Sequence, residues 1–411
     1  IADQYEQKKK QANAMDFDDL LVNLIRLMQN HSDIRSTYSD QFKYVLADEY
    51  QDTNQLQATI LELFSETHEN LLVVGDDAQS IYSFRAADVD NILEFEDEYE
   101  NVSRFKLETN YRSTPAILQL ANETIKKNIN QHEKKLESVK ETNHSPRLEE
   151  LSDQKKEAKF IADKVERLNL DGVNYSEIST LFRASHHSQS LEMELNQRGI
   201  PYEFRGGLRF FDRAHIKDIL AYMKVLLNPK DVSAWDRVLT QHTGIGPKTS
   251  SKLINRIQSL STLEDIRDVG SDLNSRAKPG WSNFISIWRQ INQAKTEGPQ
   301  QIIKNLKDSE YKEYLENEYE NSNERIKDIK QLAFTAASLI EDDDETKAAL
   351  QNFLAEATMQ QKFTADDSKR DKMVLSTVHQ AKGLEWKSVF IMNLAEEHFP
   401  NQKALDSPRL G

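Results

Sequence analysis

Lys43-Tyr-Val-Leu-Ala-Asp-Glu-Tyr-Gln-Asp52 is a short apolar run that turns abruptly into paired carboxylates, a glutamine and a third acid. In open α/β sheets, ligands bind outside the carboxyl ends of the strands, so the pattern puts Asp48 and Glu49 where a ligand would meet the sheet. Asp48 suits Mg2+, a hard cation that takes oxygen ligands and keeps several waters and substrate phosphates. Glu49 could orient or deprotonate a water attacking a terminal phosphate. A bare Asp-Glu pair after a strand reads more simply as a solvated acidic loop. The residues flanking this one reverse that ranking.

The same design recurs outward from this stretch. In Leu71-Leu-Val-Val-Gly-Asp-Asp-Ala-Gln-Ser-Ile-Tyr-Ser-Phe-Arg-Ala86 a second apolar run ends at a glycine and two acids. Gly75 is expected to let the backbone turn, and Gln79 to sense a γ-phosphate as an uncharged hydrogen-bonding group. Tyr82 and Phe84 offer faces on which bases could stack, an interaction worth about 1–3 kcal/mol per base and tolerant of sequence. Taken alone, such aromatics are more often core residues. In Phe105-Lys-Leu-Glu-Thr-Asn-Tyr-Arg-Ser-Thr-Pro115 a strand leads through a polar turn to a helix whose first turn accepts Pro115. There Arg112 could reach a phosphate bidentately and Tyr111 could stack on a nucleobase. Met373-Val-Leu-Ser-Thr-Val-His-Gln-Ala-Lys-Gly-Leu-Glu-Trp386 repeats the strand and turn, with His379 and Lys382 as candidates for a DNA backbone and Glu385 for ribose or a magnesium-linked water.

Strand-length apolar runs at 44–47, 71–75, 105–107, 178–182, 373–375 and 389–392 alternate with helical periodicity at 20–28, 56–64, 115–127, 155–168 and 190–198. That alternation predicts parallel α/β sheets. From about 230 to 365 strand signals vanish, and amphipathic helical segments take over, with acidic linkers such as Glu341-Asp-Asp-Asp-Glu345. Strand character returns at Met373, so the second α/β domain is expected to be interrupted by a helical insertion and then completed. Within the insertion, Gln241-His-Thr-Gly-Ile-Gly-Pro-Lys-Thr-Ser250 reads equally as a phosphate-gripping hairpin or an ordinary helix-helix turn. The basic stretch 126–140 reads as a solvated helix face, and the His186-His187 pair, which lacks metal-ligand spacing, as surface.

The 411 residues exceed what a single core supports, so two or three domains are expected. No apolar run approaches the roughly 20 residues of a membrane helix, and no secretory or transit signal is visible at the first residues. There is no cysteine, which excludes disulfides, thiolate metal sites and cysteine nucleophiles. With 53 basic and 68 acidic residues the net charge is -15, so any polyanion must be held locally. The chain opens on Ile1 and stops at Gly411 after a loop-like stretch, and both ends read as cuts.

Four strand-end blocks in this order resemble the UvrD, PcrA and Rep helicase family, as do Met15-Asp-Phe-Asp-Asp-Leu-Leu21 and Gly206-Gly-Leu-Arg-Phe-Phe-Asp-Arg-Ala-His-Ile-Lys-Asp218. The resemblance implies two RecA-like parallel-sheet motor domains with an all-helical 2B-type insertion in the second. The remainder of the first, incomplete motor domain would span 1–113, the second 114–228 and 371–411, and the insertion 229–370. It implies ATP and Mg2+ as cofactors, with Asp48 on the metal and Glu49 activating water. Gln79 and Arg112 would contact the γ-phosphate, while Tyr111, Gly383 and Glu385 would bind the nucleotide. Single-stranded DNA would meet Tyr82, Phe84, Arg85, Thr377, His379 and Lys382, and Gly244, Gly246 and Thr249 would meet the duplex at a single/double-strand junction. The implied activity is 3′-to-5′ translocation and unwinding in DNA repair or replication restart, in the cytoplasm at the nucleoid, with repair or replication proteins as possible partners. Phe84 stands where many relatives carry tryptophan and Ala86 where glycine is usual. No Gly-x-x-x-x-Gly-Lys-Ser/Thr loop to cradle phosphates occurs, so these residues alone are not expected to turn over ATP. The rival expectation is a non-catalytic nucleic-acid-binding scaffold derived from a helicase.

Overall fold

The computed structural model describes residues 2–12, 14–83, 86–99, 101–141, 144–205, 208–260, 262–338, 346–362, 371–396 and 398–400. Phe84, Arg85, Gly206, Gly207 and the acidic linker at Glu341 lie outside the described residues. The chain forms two compact units, 1–149 and 150–411.

In the first unit the helix Phe17–Asn30 starts at Asp16, whose side chain accepts the Asp19 N–H at 2.9 Å while Asp19 accepts the Asp16 N–H at 3.0 Å. This reciprocal cap satisfies two of the amides that a helix start leaves without partners. Lys9 lies 3.0 Å from Asp16 and 2.7 Å from Asp19, holding both carboxylates in place. One apolar stripe of this helix, with Ile25 and Met28, packs on Ile60, Leu63 and Phe64 of the helix Gln55–Ser65. That second helix lies against two parallel strands, β1 (Val45–Ala47) and β2 (Leu71–Val73), in which Val45 is opposite Leu71 and Ala47 opposite Val73. Leu46 and Leu72, one residue out of phase, are 70% and 54% exposed, as the two-residue repeat of a strand demands.

Two short strands, β3 (Thr109–Asn110) and β4 (Glu137–Ser138), also pair in parallel. The run 105–107 is therefore not a strand. Phe105 and Leu107 are 84% and 81% exposed, and the ladder begins two residues later. Nor is 126–140 a helix face, because the helix Pro115–Ile125 ends first and the chain continues extended into β4.

The second unit is organised by a four-stranded parallel sheet in the order β6-β7-β5-β8. Its strands are β5 (Ile178–Phe182), β6 (Tyr202–Arg205), β7 (Met373–Thr377) and β8 (Ser388–Ile391). β7 pairs with β6 on one side and β5 on the other, so strands from before and after the helical stretch share one sheet. Ile178, Phe182, Met373 and Leu375 are fully buried, packed with Ile161 and Val165 of the helix Gln154–Leu170 and Leu191 and Leu195 of the helix Gln189–Gln197. Burial on both faces explains why β5 and β7 carry no charged residue, with Ser179, Thr180 and Ser376 buried among the apolar ones.

Among the described residues 214–362 there is no strand. Their core is aromatic, with Trp235 5.4 Å from Trp288 and 6.0 Å from Phe284 between ring centroids. The helix Ala214–Leu227 is buried over most of its surface, and its charges are matched. Asp218 accepts from the Tyr311 hydroxyl at 2.9 Å and Arg237 Nε at 2.7 Å, while Asp328 pairs with Arg213 at 2.8 Å and His215 at 2.7 Å. The His186-His187 pair also departs from its surface reading. His187 is 5% exposed, burial holds its pKa down to about 3, and its Nε2 is 3.4 Å from Nδ1 of His398. Among the described residues no three His, Asp or Glu side chains are gathered to hold a metal.

Leu375 is fully buried at the centre of the sheet and Leu170 is 87% exposed. We expect Leu375→Ala to cost about 2–5 kcal/mol in urea unfolding and Leu170→Ala to stay within about 0.5 kcal/mol. Equal losses would contradict the position of β7 inside the sheet.

Candidate active site

β1 ends at Ala47, and the chain reverses through Glu49, whose φ of 53° lies in the left-handed region. A side-chain-bearing residue there is held by its surroundings. The Glu49 N–H donates to Asp48 Oδ1 at 2.8 Å, and the 3-10 turn Tyr50–Asp52 then drives Tyr50 and Gln51 into the interior. Gln51 is fully buried, and both ends of its carboxamide are used. Nε2 donates to Glu49 Oε2 at 2.7 Å, and Oε1 accepts the Asp76 N–H at 2.9 Å. One buried amide thus ties the acid at the tip of β1 to the backbone beyond the tip of β2.

Gly75 makes room for that amide. A Cβ there would lie 2.4 Å from Gln51 Oε1 and 2.7 Å from Ile92 Cδ1, so close approach, not the turning freedom expected from sequence, requires glycine. Asp76 then accepts the Ala78 N–H at 3.1 Å and Gln79 Nε2 at 2.7 Å. Glu49 and Gln79 are joined through Gln51 and Asp76. Sequence reasoning found both ends of this chain and assigned neither link a role. The Gln-Asp after the acidic pair was the available signal, but partners 25 residues apart are not legible in a local pattern.

Lys134 completes the cluster, with Nζ 2.7 Å from Asp76 Oδ1 and 2.5 Å from Asp77 Oδ1. Burial alone would push the Asp76 carboxyl up. The bonds from Lys134 and Gln79 outweigh it and hold the group below the usual carboxylate range. Burial likewise opposes the charge on Lys134, and the two carboxylates raise its pKa in spite of that. Asp48, Glu49, Gln79 and Lys134 all line a cavity of about 810 Å3 within the first unit. Its size is that of a small-molecule site, and its lining is rich in charge, with Glu96, Glu98 and Glu133 beside Arg104 and Lys106.

Tyr111 and Arg112 lie in the same unit, on the turn after β3, and neither lines that cavity. Asn110 Oδ1 accepts the Arg112 N–H at 3.0 Å and the Ser113 N–H at 2.8 Å, which fixes the turn, and Tyr111 is 74% exposed. Tyr82 is half-buried three residues beyond Gln79. In the second unit, Thr377, His379, Lys382, Gly383 and Glu385 gather at the carboxyl end of β7. Gly383 has φ 81° and reverses the chain toward β8, which favours glycine. Glu385 is exposed, and His379 and Lys382 are half-buried.

The 241–250 turn is firmly seated. Gly244 has φ 80°, and a Cβ on it would lie 2.1 Å from the Arg276 carbonyl oxygen. Burial holds the His242 imidazole down to about 4, with its Nε2 3.1 Å from the Tyr222 hydroxyl. Gly246 caps the helix Pro247–Ser259, and the Thr249 N–H donates to the Gly246 carbonyl.

Parallel strands here end in an acid pair tethered to a glutamine beside one cavity, an α/β arrangement whose class sequence comparison makes specific. Residues 1–100 match the UvrD/REP helicase N-terminal domain and residues 105–410 the UvrD-like helicase C-terminal domain, so the chain belongs to the UvrD-like helicase family. The ATP-dependent DNA helicase PcrA of Staphylococcus aureus is 32% identical over 98% of this chain and 56% of the relative's length. PcrA of Staphylococcus epidermidis is similar to the same extent. The chain spans about half the length of the curated relatives it matches.

Because its folded pKa lies below the unfolded value, Asp76 contributes stability that is present above pH 3.8 and lost as pH falls through the folded pKa. In Lys134→Met, burial dominates and the Asp76 carboxyl should titrate above its ordinary value. Carboxyl NMR titration of both proteins checks this, and an unmoved Asp76 would show that Lys134 does not set its charge.

Proposed function

We propose that the complete protein is an ATP-driven DNA translocase and helicase of 3′-to-5′ polarity, acting on single strands and single/double-strand junctions in repair or replication restart. The observation that carries the reading is the tether from Glu49 through Gln51 and Asp76 to Gln79. Family membership and the printed name of the PcrA relatives support the same activity. In this reading 1–113 belongs to the first RecA-like motor domain, 114–228 and 371–411 to the second, and 229–370 to a 2B-type insertion.

Asp48 and Glu49 are exposed carboxylates on the cavity, an all-oxygen donor set that fits Mg2+. Among the described residues no third acid or histidine makes an all-protein cage, as suits a cation that keeps waters and phosphate oxygens in its shell. Asp48 would hold the ion, which when bound neutralises charge developing on the transferred phosphoryl group. Glu49 accepts a proton from the attacking water, and the Gln51 bond fixes which carboxylate oxygen is turned inward. Gln79 reads the γ-phosphate. Because its amide is anchored on Asp76, a shift of Gln79 reaches Glu49 through three hydrogen bonds and Tyr82 through three residues of chain. That coupling lets the nucleotide state alter the grip on bases at Tyr82, Phe84 and Arg85.

The remaining assignments follow from the resemblance: Arg112 on the γ-phosphate, Tyr111 on adenine, and Gly383 and Glu385 at the nucleotide. Thr377, His379 and Lys382 take single-stranded DNA, and Gly244, Gly246 and Thr249 take the duplex backbone.

Glu49→Gln in the full-length protein should cut DNA-stimulated ATP hydrolysis roughly a hundred- to ten-thousand-fold, the range for loss of a general base, and leave DNA binding intact. Undiminished turnover would remove Glu49 from the mechanism. A full-length protein that binds DNA and hydrolyses no ATP would instead be a non-catalytic scaffold derived from a helicase.

A further inference from the structure

The chain as a whole is acidic, yet between 241 and 290 it carries seven basic and four acidic residues. Three of the seven converge. Arg267, Lys278 and Arg289 line a groove of about 600 Å3 between the 3-10 segment Leu263–Gly270 and the helix Lys278–Ala294. All three are exposed, and among the described residues none has a carboxylate in salt-bridge reach.

Of the acids nearby, Glu264 and Asp265 share the 3-10 segment without lining the groove, and Glu310 stands behind it, accepting from the lining Ser286 at 2.6 Å. Asp272 is taken by Arg256, which reaches both of its oxygens and holds its carboxyl down to about 2. Asp268 is the one acid among the lining residues, and it leaves the groove with a surplus of positive charge. The walls are fixed. The Trp281 indole N–H donates to the Arg267 carbonyl oxygen at 3.2 Å, and Gly270 lies so close to that ring that a Cβ would sit 2.2 Å from Nε1. The cations therefore stand on a prearranged frame, which lowers the ordering cost of binding.

We propose that this groove is a phosphate-backbone site for duplex DNA, a second point of attachment beside the 241–250 turn. Two observations select the duplex. Trp281, the aromatic of the groove, is only 6% exposed and edge-locked, so it offers no face on which an unpaired base could stack. The groove also adjoins the turn directly. A Cβ on Gly280 would lie 2.2 Å from the Thr243 carbonyl oxygen, so the start of the helix that carries Lys278 is packed against the hairpin. Cations on two elements, with Ser271 and Ser282 also lining the groove, match a row of phosphates whose bases face inward. The proposal rests on the reading of the protein as a DNA helicase and adds a second duplex contact to it.

The test is the salt dependence of binding by the full-length protein to a blunt duplex and to a single strand, with and without Arg267→Gln, Lys278→Gln and Arg289→Gln combined. Each phosphate that is no longer neutralised lowers the slope of log K against log salt by about 0.9 on duplex DNA. A fall of about 2–3 on the duplex, with the single-strand slope unchanged, is the expected result. An unchanged duplex slope, or an equal fall on both substrates, overturns the groove assignment. If the unmodified protein binds neither substrate, the helicase reading itself fails.

Discussion

A single buried carboxamide holds the candidate site together. Gln51 has no exposure to water, so both of its polar ends must find partners inside, and the two they find belong to different strand tips. Removing it would leave the N–H of Asp76 without its partner, at about 1–3 kcal/mol if no other group replaces it, and would release the exposed Glu49 carboxylate from its tether. The left-handed backbone of Glu49 and the missing side chain of Gly75 both follow from this one placement. A strained residue persists where its surroundings over-determine it, and here the surroundings are hydrogen bonds on three sides.

The same logic of matched polar groups recurs in the second unit at a larger scale. Its sheet is completed by a strand that returns after a long helical excursion, and that excursion is anchored by charges that burial would otherwise disfavour. Asp328 meets Arg213 and His215, and Asp218 meets Arg237 and Tyr311. Buried pairs of this kind add little net stability when complete, but removing one partner strands a charge.

Charge is distributed unevenly in a way that net charge conceals. An overall excess of acid opposes indiscriminate binding to nucleic acid, while the uncompensated cations at Arg267, Lys278 and Arg289 sit on one prearranged surface. The acidic cluster around Asp76 is the counterpart. Lys134 pairs with it internally, which holds the half-buried Asp76 carboxyl below the usual carboxylate range.

The elements of this protein were largely legible from periodicity. The central strands at 178 and 373 and their flanking helices stand where apolar spacing puts them, because burial on a known face imposes a local repeat. β6 carries no local strand signal because Tyr-Glu-Phe-Arg is short and half charged, and 105–107 gives a false one because an exposed apolar alternation looks like a strand that lacks only its partner. Composition and motif order also identified the acids at the strand tips. Only tertiary structure decided that Gln51 joins them, that Gly75 clears its path, that Lys134 reaches Asp76 from 58 positions along the chain, and that three scattered cations share a groove. Local patterns record what each residue must hide or expose; which distant group it meets depends on the packing of elements that are not neighbours in sequence.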